Sequence, residues 1–226
     1  NASKTRFLAL ASHDVLQPLN AAKLYLSALE EFDLKDQANL ILNKLNDSVT
    51  SSEALISTLL DIARLDQGEM KLSVEDIPLA SVLTPLADEF GMKAQAKGLA
   101  FSYHPSSEWV TTDKTHLYRI LQNLLSNAVK YSKKGKILLG TRKRGKQLLI
   151  QIWDTGVGIS ELEQQKIFHD FYRVDGSKEH GVGLGLGVVE RMAAKLGVSI
   201  NCTSKLGKGS CFSLLVPICE PKQSAK

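Results

Sequence analysis

A histidine that could act as a nucleophile stands beside a carboxylate near the start of the chain. His13 is followed by Asp14, and Gln17 lies four residues after His13. Residues four apart share one face of a helix, and on a helix His13 points away from the apolar stripe that includes Leu8 and Val15. An adjacent carboxylate can orient an exposed imidazole and make it more basic. The pattern therefore predicts nucleophilic chemistry at His13, and a plain surface histidine is the simpler alternative.

A second polar group lies on one face of a helix predicted in the middle of the chain. Asn123, Asn127 and Lys130 share this face, which differs from the apolar face of the same helix. Amide oxygens are hard ligands that suit a hydrated Mg²⁺, and lysine adds a positive charge for phosphates. The group predicts a site for Mg²⁺ and phosphates, although a solvated polar face remains the alternative.

A third motif follows an apolar strand predicted at residues 148–153. Asp154 ends this strand, and Gly156 and Gly158 come after it. Such an aspartate places a hydrogen-bond acceptor in a pocket, and glycines let the backbone approach a ligand closely. The motif predicts a ligand pocket, with an aspartate-capped turn as the plainer interpretation.

A glycine-rich segment runs from Gly181 to Gly187 and leads into a helix predicted at residues 188–196. Glycines before a helix leave backbone N–H groups open to a phosphate, and the helix dipole adds attraction. No Gly-Lys-Ser/Thr follows, so the segment is not a Walker A loop, and no parallel strand leads into it as in a Rossmann turn. It predicts a phosphate-binding loop, but the pattern alone is not specific.

Two helices are predicted to carry the histidine. Up to about Arg64, apolar residues recur at three- and four-residue steps. Their stripes form coiled-coil-like seams: Leu8, Ala11, Val15, Leu19, Ala22, Leu26 and Leu29, then Leu42, Leu45, Val49, Ile56, Leu59 and Ala63. The short break at residues 31–36 predicts an antiparallel hairpin. Because two helices bury too little apolar surface alone, we expect a homodimer that completes a four-helix bundle.

The other motifs belong to a second domain, which begins after Gly68. Strands are predicted at residues 70–74, 99–103, 136–142, 148–153, 199–203 and 210–216, and helices near 79–97, 114–131 and 185–196. Hairpin turns are predicted at residues 142–147 and 205–209. An α+β fold follows, with an antiparallel or mixed sheet covered by helices on one face. We therefore expect domains at residues 1–68 and 69–220 and a linker at residues 221–226.

The composition is that of a folded protein in water. Hydrophobic residues make up 43% of the chain and charged residues 23%, close to globular averages. No apolar run is long enough to cross a bilayer, and no signal peptide is visible. The net charge of +4 suits anionic ligands, but it is far from the basic stripe of a nucleic-acid binder. We expect no membrane contact and no nucleic-acid partner for this chain, which opens in a helical pattern like a fragment.

Cysteine usage points to a reducing compartment. Cys202, Cys211 and Cys219 form neither a Cys-x-x-Cys pair nor a zinc-ligand spacing. Reduced thiols and a cytoplasmic location are therefore expected. A cross-strand disulfide between Cys202 and Cys211 stays possible if their strands pair.

Together, the motifs resemble those of the sensor histidine kinases of two-component signalling. In chain order they are His-Asp-x-x-Gln-Pro, Asn-Leu-Leu-x-Asn-Ala-x-Lys-Tyr, Asp-x-Gly-x-Gly, Phe-x-x-Phe and Gly-x-Gly-Leu-Gly-Leu, and they span nearly the whole chain. The resemblance implies a dimerisation and phosphotransfer hairpin, then the α/β ATP-binding sandwich of the Bergerat (GHKL) type shared with Hsp90, gyrase and MutL. The His-Asp-Val-Leu-Gln-Pro-Leu stretch further resembles hybrid kinases, which carry a receiver domain further along.

The resemblance also implies roles for individual residues. The catalytic residues would be His13 as phosphoacceptor, Asp14 as the group that orients its imidazole, and Gln17 in a possible phosphatase activity. The nucleotide site would comprise Asn123, Asn127, Lys130, Tyr131, Asp154, Gly156, Gly158, Phe168, Phe171, Arg173, Gly181, Gly183, Leu184, Gly185 and Leu186. Within this site Asp154 would bind adenine, Asn127 would hold Mg²⁺, and Arg173 would contact the γ-phosphate.

The expected function is ATP-dependent phosphorylation of His13, followed by transfer to an aspartate on a separate or fused response-regulator receiver domain. One alternative is an ATP-driven conformational machine of the Hsp90 or gyrase sort, in which the His13 helix is only a dimer interface. Another is a basic dimeric DNA-binding module. The exposed His-Asp-x-x-Gln-Pro cluster argues against the first alternative, and the lack of a basic recognition helix argues against the second.

Overall fold

The chain divides into two compact units, residues 1–69 and 70–226. In the second unit the structure, a computed structural model, describes residues 71–169, 172–174 and 185–220. In the first unit it describes residues 20–25, 27, 41–42, 44–45, 48–49, 52, 56, 59, 62 and 65, all of them helical. The predicted hairpin break at residues 31–36 and the predicted boundary at residue 68 lie outside the described residues.

The helical residues of the first unit leave part of their apolar stripe uncovered. Ala22 is buried, and Nζ of Lys44 lies 5.8 Å from the centroid of the Tyr25 ring, so the two helical stretches lie beside each other. Three apolar side chains of the second predicted seam are nevertheless exposed: Leu42 by 48%, Val49 by 40% and Ile56 by 44%. They stand seven residues apart, which is the period of a seam that packs against another helix.

The second unit contains seven strands and four helices among its described residues. The strands are β1 Val74–Pro78, β2 Ala100–Tyr103, β3 Trp109–Asp113, β4 Lys136–Arg144, β5 Gln147–Asp154, β6 Ser199–Lys205 and β7 Gly209–Cys219. The helices are α1 Ala80–Ala96, α2 Lys114–Tyr131, α3 Glu161–Gln164 and α4 Gly185–Leu196. The predicted α+β class is confirmed.

The strands form one sheet in the order β1-β3-β7-β5-β4-β2, and β6 pairs with the first part of β7. The sheet is mixed, because β2 and β4 run parallel while the other pairs are antiparallel. On β5, Ile150 and Ile152 are buried, whereas Trp153 on the opposite face is 47% exposed. One face of the sheet therefore packs against the helices, as predicted.

Helix α2 is the central helix of this layer, and its apolar face lies in the core. Leu117, Ile120, Leu121, Leu124 and Ala128 were predicted to form that face, and all five are buried. At the end of α2, Nζ of Lys97 donates to the carbonyl oxygens of Val129 at 2.7 Å and Lys130 at 2.8 Å. A cation there satisfies the last carbonyls and complements the helix dipole. The burial and this cap fix the orientation of the polar face of α2.

Helix α2 starts directly after β3 because Asp113 caps it. Its Oδ1 accepts a hydrogen bond from the backbone N–H of His116 at 2.9 Å, and its Oδ2 accepts one from the N–H of Ser73 at 2.7 Å. Burial alone raises the pKa of Asp113, but these hydrogen bonds and the His116 imidazole outweigh it, so the pKa lies below its ordinary value. The charged cap therefore fixes the first turn of α2 and the chain before β1.

Two strand predictions differ from the structure. Strand β3 was not predicted, and the strand predicted at residues 70–74 is wrong, because β1 begins only at Val74. The position of β1 is set by its pairing with β3, in which Ile77 lies opposite Val110. Since the partner strand was missing from the prediction, the alternation of apolar residues alone placed β1 too early. The hairpin turns predicted at residues 142–147 and 205–209 are confirmed.

Candidate functional site

Asp154, at the end of β5, is a buried carboxylate with backbone partners. The residue is 9% exposed, and its Oδ1 accepts a hydrogen bond from the N–H of Gly156 at 2.7 Å. Burial raises the pKa of Asp154, and the hydrogen bonds from the N–H groups of Gly156 and Ser210 oppose this rise without cancelling it. The residue is therefore a buried hydrogen-bond acceptor at the end of the strand.

The glycines after Asp154 are required because neighbouring backbone lies against them. A Cβ on Gly156 would lie 2.6 Å from the carbonyl oxygen of Tyr131 and 2.8 Å from Oδ1 of Asp154. Gly158 has a φ of +68°, and a Cβ there would overlap the carbonyl of Lys205. No side chain fits at either position without moving the backbone. Residues 154–158, called the D-x-G-x-G loop below, thus pack between the end of α2 and the β6–β7 turn.

The polar face of α2 is half-buried. Nδ2 of Asn127 donates to Oδ1 of Asn123 at 3.4 Å, so the carbonyl oxygen of Asn127 is not used in this hydrogen bond. Nζ of Lys130 lies 5.2 Å from the centroid of the Tyr131 ring. The face therefore places amide groups and a cation along one side of the helix, as the sequence predicted.

Helix α2 contacts both glycine-containing motifs. A Cβ on Gly185, the first residue of α4, would lie 2.8 Å from Oδ1 of Asn123. At the other end of α2, the carbonyl of Tyr131 accepts a hydrogen bond from the N–H of Val157 at 3.4 Å. The D-x-G-x-G loop and the N-terminus of α4 therefore both contact α2. They lie at the two ends of the polar face of this helix that carries Asn123, Asn127 and Lys130, which is called the asparagine face below.

The remaining predicted residues are less closely tied to this arrangement. Phe168 follows α3 and is half-buried, Leu186 in α4 is half-buried, and Arg173 is exposed. Seven further predicted site residues lie outside the described residues: His13, Asp14, Gln17, Phe171, Gly181, Gly183 and Leu184. The predictions for them stand as stated.

The β6–β7 turn contributes to the site, and the sequence did not point to it. Gly209 has a φ of +109°, and a Cβ there would overlap the carbonyl oxygen of Asp154. The next residue, Ser210, supplies one of the N–H groups that bind the Asp154 carboxylate. The signal available in the sequence was the Gly-Lys-Gly-Ser stretch from residue 207, which predicts only a turn.

The cysteines near this turn are free thiols. Strands β6 and β7 do pair, but Cys202 lies opposite Phe212 and Cys211 lies opposite Thr203. Neighbouring positions on a strand point to opposite faces, so the register places the two thiols on different sides of the sheet, and both are unbonded. Burial raises the pKa of Cys202 to about 12 and that of Cys211 to about 11. The disulfide alternative does not occur, and both groups are weak nucleophiles.

A metal ion at this site would be bound by amide oxygens of the protein and by oxygens of a bound molecule. Among the described residues no cluster of three or more His, Cys, Asp or Glu side chains could hold a metal ion. The amide oxygen of Asn127 fits a hard cation such as Mg²⁺, which commonly takes few protein ligands and completes its shell with phosphates and water.

Among the residues that the structure describes, no helix is long and apolar enough to cross a membrane.

Two protein-family models match the chain. Residues 3–68 match the His Kinase A (phospho-acceptor) domain, and residues 112–220 match the histidine kinase-, DNA gyrase B- and HSP90-like ATPase family. The second match contains α2, β5, α4 and the β6–β7 turn. Both halves of the motif pattern therefore have counterparts in known families.

Curated relatives match almost the whole chain. The aerobic respiration control sensor protein ArcB of Escherichia coli K12 is 32% identical over an alignment of 221 positions, which covers 94% of this chain and 28% of ArcB. The autoinducer 2 sensor kinase/phosphatase LuxQ of Vibrio vulnificus YJ016 is 32% identical over 231 residues, with 96% of this chain and 27% of LuxQ covered. The chain thus spans little more than a quarter of the length of these relatives.

A solved structure with the same fold is full-length ShkA in complex with AMPPNP. It superposes with a TM-score of 0.70 at 26% sequence identity, and the match covers 96% of this chain and 46% of ShkA.

Proposed function

The chain is the core of a sensor histidine kinase of two-component systems, and we propose that it phosphorylates His13 from ATP and passes the phosphoryl group to a response regulator. The observation that carries this proposal is the meeting of three motifs along α2. There the asparagine face, the buried Asp154 and the first residue of α4 form one site within the ATPase-family domain. The acceptor is an aspartate on a receiver domain that is either separate or fused further along the chain.

In this proposal the nucleotide lies between α2, the D-x-G-x-G loop and the N-terminus of α4. The buried carboxylate of Asp154 accepts a hydrogen bond from the adenine amine, and Tyr131 packs beside the base. The positive end of the α4 dipole and the charge of Lys130 attract the phosphates. The nucleotide analogue in the ShkA complex supports this use of the shared fold.

The remaining predicted residues complete the nucleotide site. In the proposal Phe168 and Phe171 border the nucleotide, and Arg173 contacts the γ-phosphate. Backbone N–H groups of the glycine-rich segment would bind the phosphates, with Gly181, Gly183, Leu184, Gly185 and Leu186 as its members. Mg²⁺ held through Asn127 supplies positive charge that neutralises the phosphate oxygens.

The chemical step forms one bond and breaks one. A ring nitrogen of His13 attacks the γ-phosphorus while the bond from that phosphorus to the bridging oxygen breaks, and ADP leaves. The imidazole becomes positively charged as the P–N bond forms, and the Asp14 carboxylate holds the proton on the other nitrogen of the imidazole.

Because ATP is a cytoplasmic substrate and the three cysteines are unbonded, we place the reaction in the cytoplasm.

Labelling with ATP that carries radioactive γ-phosphate tests this function. We expect Mg²⁺-dependent incorporation into the chain that is lost in acid and survives base, because phosphohistidine is acid-labile and base-stable. A conformational ATPase would release inorganic phosphate and leave the chain unlabelled. The metal assignment is tested with the same assay, since Asn127→Ala labelled at the normal rate in Mg²⁺ would contradict it.

We also propose that the chain is a homodimer held by residues 1–68. The exposed side chains of Leu42, Val49 and Ile56 form a stripe with a seven-residue period, which a second copy would bury in a four-helix bundle. Light scattering should therefore give twice the chain mass for residues 1–226 and a monomer for residues 70–226 that still binds ATP. A monomer of the full chain at micromolar concentration would rule out this bundle.

A second activity is proposed for Gln17. Gln17 is four residues after His13 in the sequence, a spacing that on a helix gives one shared face. Its amide would then orient a water against the phosphoaspartate of a docked regulator. The kinase/phosphatase name of LuxQ supports testing this activity here. Gln17→Ala should slow dephosphorylation of the regulator and leave labelling of His13 unchanged, as followed by loss of labelled regulator. Unchanged dephosphorylation would leave Gln17 no role beyond docking.

A further inference from the structure

The hydroxyl of Ser204, on β6, joins the segments that surround Asp154. Its Oγ accepts a hydrogen bond from the N–H of Ile159 at 2.8 Å and donates to the carbonyl oxygen of Gly209 at 2.8 Å. It also lies 2.9 Å from Oγ of Ser210. A serine hydroxyl has one proton and two acceptor lone pairs, so these three partners use its full hydrogen-bonding capacity.

Each partner of Ser204 belongs to the immediate support of Asp154. Gly209 packs against the Asp154 carbonyl, and Ser210 donates its N–H to the Asp154 carboxylate. Ile159 directly follows the D-x-G-x-G loop, which runs from Asp154 to residue 158. The hydroxyl therefore fastens the loop that carries the carboxylate to the turn that binds it.

Gln164, the last residue of α3, joins the same two segments through a separate pair of hydrogen bonds. Its Nε2 donates to the carbonyl oxygen of Ile159 at 3.1 Å and to that of Ser204 at 3.0 Å. An amide nitrogen carries two protons, and both are used here. Gln164 thus braces the link between the loop and β6 independently of the serine hydroxyl.

We propose that Ser204, braced by Gln164, is a positioning residue for adenine recognition that acts through Asp154. The inference rests on the proposed function, because it takes Asp154 as the group that receives the adenine amine. In the proposed site Asp154 contacts the base, whereas Lys130 and the N-terminus of α4 attract the phosphates. A displaced Asp154 should therefore weaken binding of the base and leave binding of the phosphates unchanged. Loss of the hydroxyl therefore weakens the adenine part of the interaction selectively.

The test compares binding of ATP and of inorganic tripolyphosphate to the full chain by calorimetry. Ser204→Ala leaves the N–H of Ile159 without its acceptor and should raise the Kd for ATP about tenfold, the usual size of such a loss. The Kd for tripolyphosphate should stay unchanged. In the labelling assay the KM for ATP should rise by the same factor, while the rate at saturating ATP stays that of the unmodified chain.

Two variants serve as controls. Ser204→Thr keeps the hydroxyl and should restore ATP binding. Ser199→Ala makes the same chemical change at an exposed position on the same strand and should change nothing. Equal losses of ATP and tripolyphosphate binding in Ser204→Ala would indicate general loosening of the domain and would overturn the proposal.

The outcome for Asp154 separates this inference from the proposed function. If Asp154→Ala binds ATP normally, the adenine assignment fails and the inference fails with it. If Asp154→Ala loses ATP while Ser204→Ala binds it normally, the inference alone fails. Should Ser204→Ala not fold, Gln164→Ala removes the second brace, and normal ATP affinity in that variant would overturn the proposal.

Discussion

Replacing His13 by alanine should reduce incorporation of the γ-phosphate label to background while ATP binding stays unchanged. The reason is that the residues proposed for ATP binding and the residue proposed to accept the phosphoryl group belong to different compact units of the chain. The proposed nucleotide-binding residues lie between residues 123 and 186, in the second unit, whereas the proposed phosphoacceptor, His13, lies in the first. Labelling on gels and calorimetric ATP binding measure the two properties separately.

A matched control for this variant is His104→Ala. His104 is an exposed histidine in the second unit, and its loss should leave labelling at the normal level. If His13→Ala lost ATP binding as completely as labelling, the two functions could not be divided between the units. Base-stable label remaining on His13→Ala would mean that another histidine is phosphorylated.

Replacing Asp154 by asparagine should weaken ATP binding severely. The variant keeps the size of the side chain but replaces one acceptor oxygen by an NH₂ donor. In one orientation of the amide this donor faces the adenine amine, and in the other it faces the backbone N–H donors of Gly156 and Ser210. A hydrogen bond is lost in either orientation. Removing a hydrogen bond to a charged group costs about 1.5–3 kcal/mol. The Kd for ATP should therefore rise about 10- to 150-fold, which calorimetry can measure.

Thermal unfolding provides the companion measurement for Asp154. Burial raises the pKa of this carboxyl, so at neutral pH its negative charge lowers the stability of the folded state. The neutral asparagine removes that cost, so the Tm should not fall, and the loss of ATP binding cannot be ascribed to unfolding. Asp88→Asn, at an exposed position on α1, should change neither property. Normal ATP affinity of Asp154→Asn would show that adenine is recognised elsewhere.

The long helices of the second unit and most of its strands were predictable, but β3 and the position of β1 were not. The bounds of α2 agree with the prediction because its apolar period persists over 18 residues and an aspartate stands before it. Strand β3 has only five residues, and both faces of its last part are buried, so it shows no regular alternation. The error at β1 followed from this omission, since the residues at which β1 begins and ends are fixed by its pairing with β3.

The site was predictable as a set of motifs but not as a set of contacts. Asn123, Asp154 and Gly185 stand out by residue type and spacing, and α2 does connect the segments that carry them. The support of Asp154 by Ser204 and Gly209 was not visible, because it requires β5, β6 and β7 to be neighbours. Pairing between segments about 50 residues apart depends on the tertiary fold, which periodicity does not encode. The assignments of His13, Asp14 and Gln17 remain predictions.

The position of β7 in the sheet has a consequence for biosynthesis. Strand β7 is the last strand of the domain along the chain, yet it lies between β3 and β5 and also pairs with β6. Strand β3 pairs with β7 only at Ile218 and Cys219, so β1 and β3 have no partner in the rest of the sheet until a ribosome has released residue 219. Asp154 likewise lacks its support until the β6–β7 turn has been released. A nascent chain that still lacks β7 therefore cannot assemble the nucleotide pocket, so we expect ATP binding only after β7 has been synthesised.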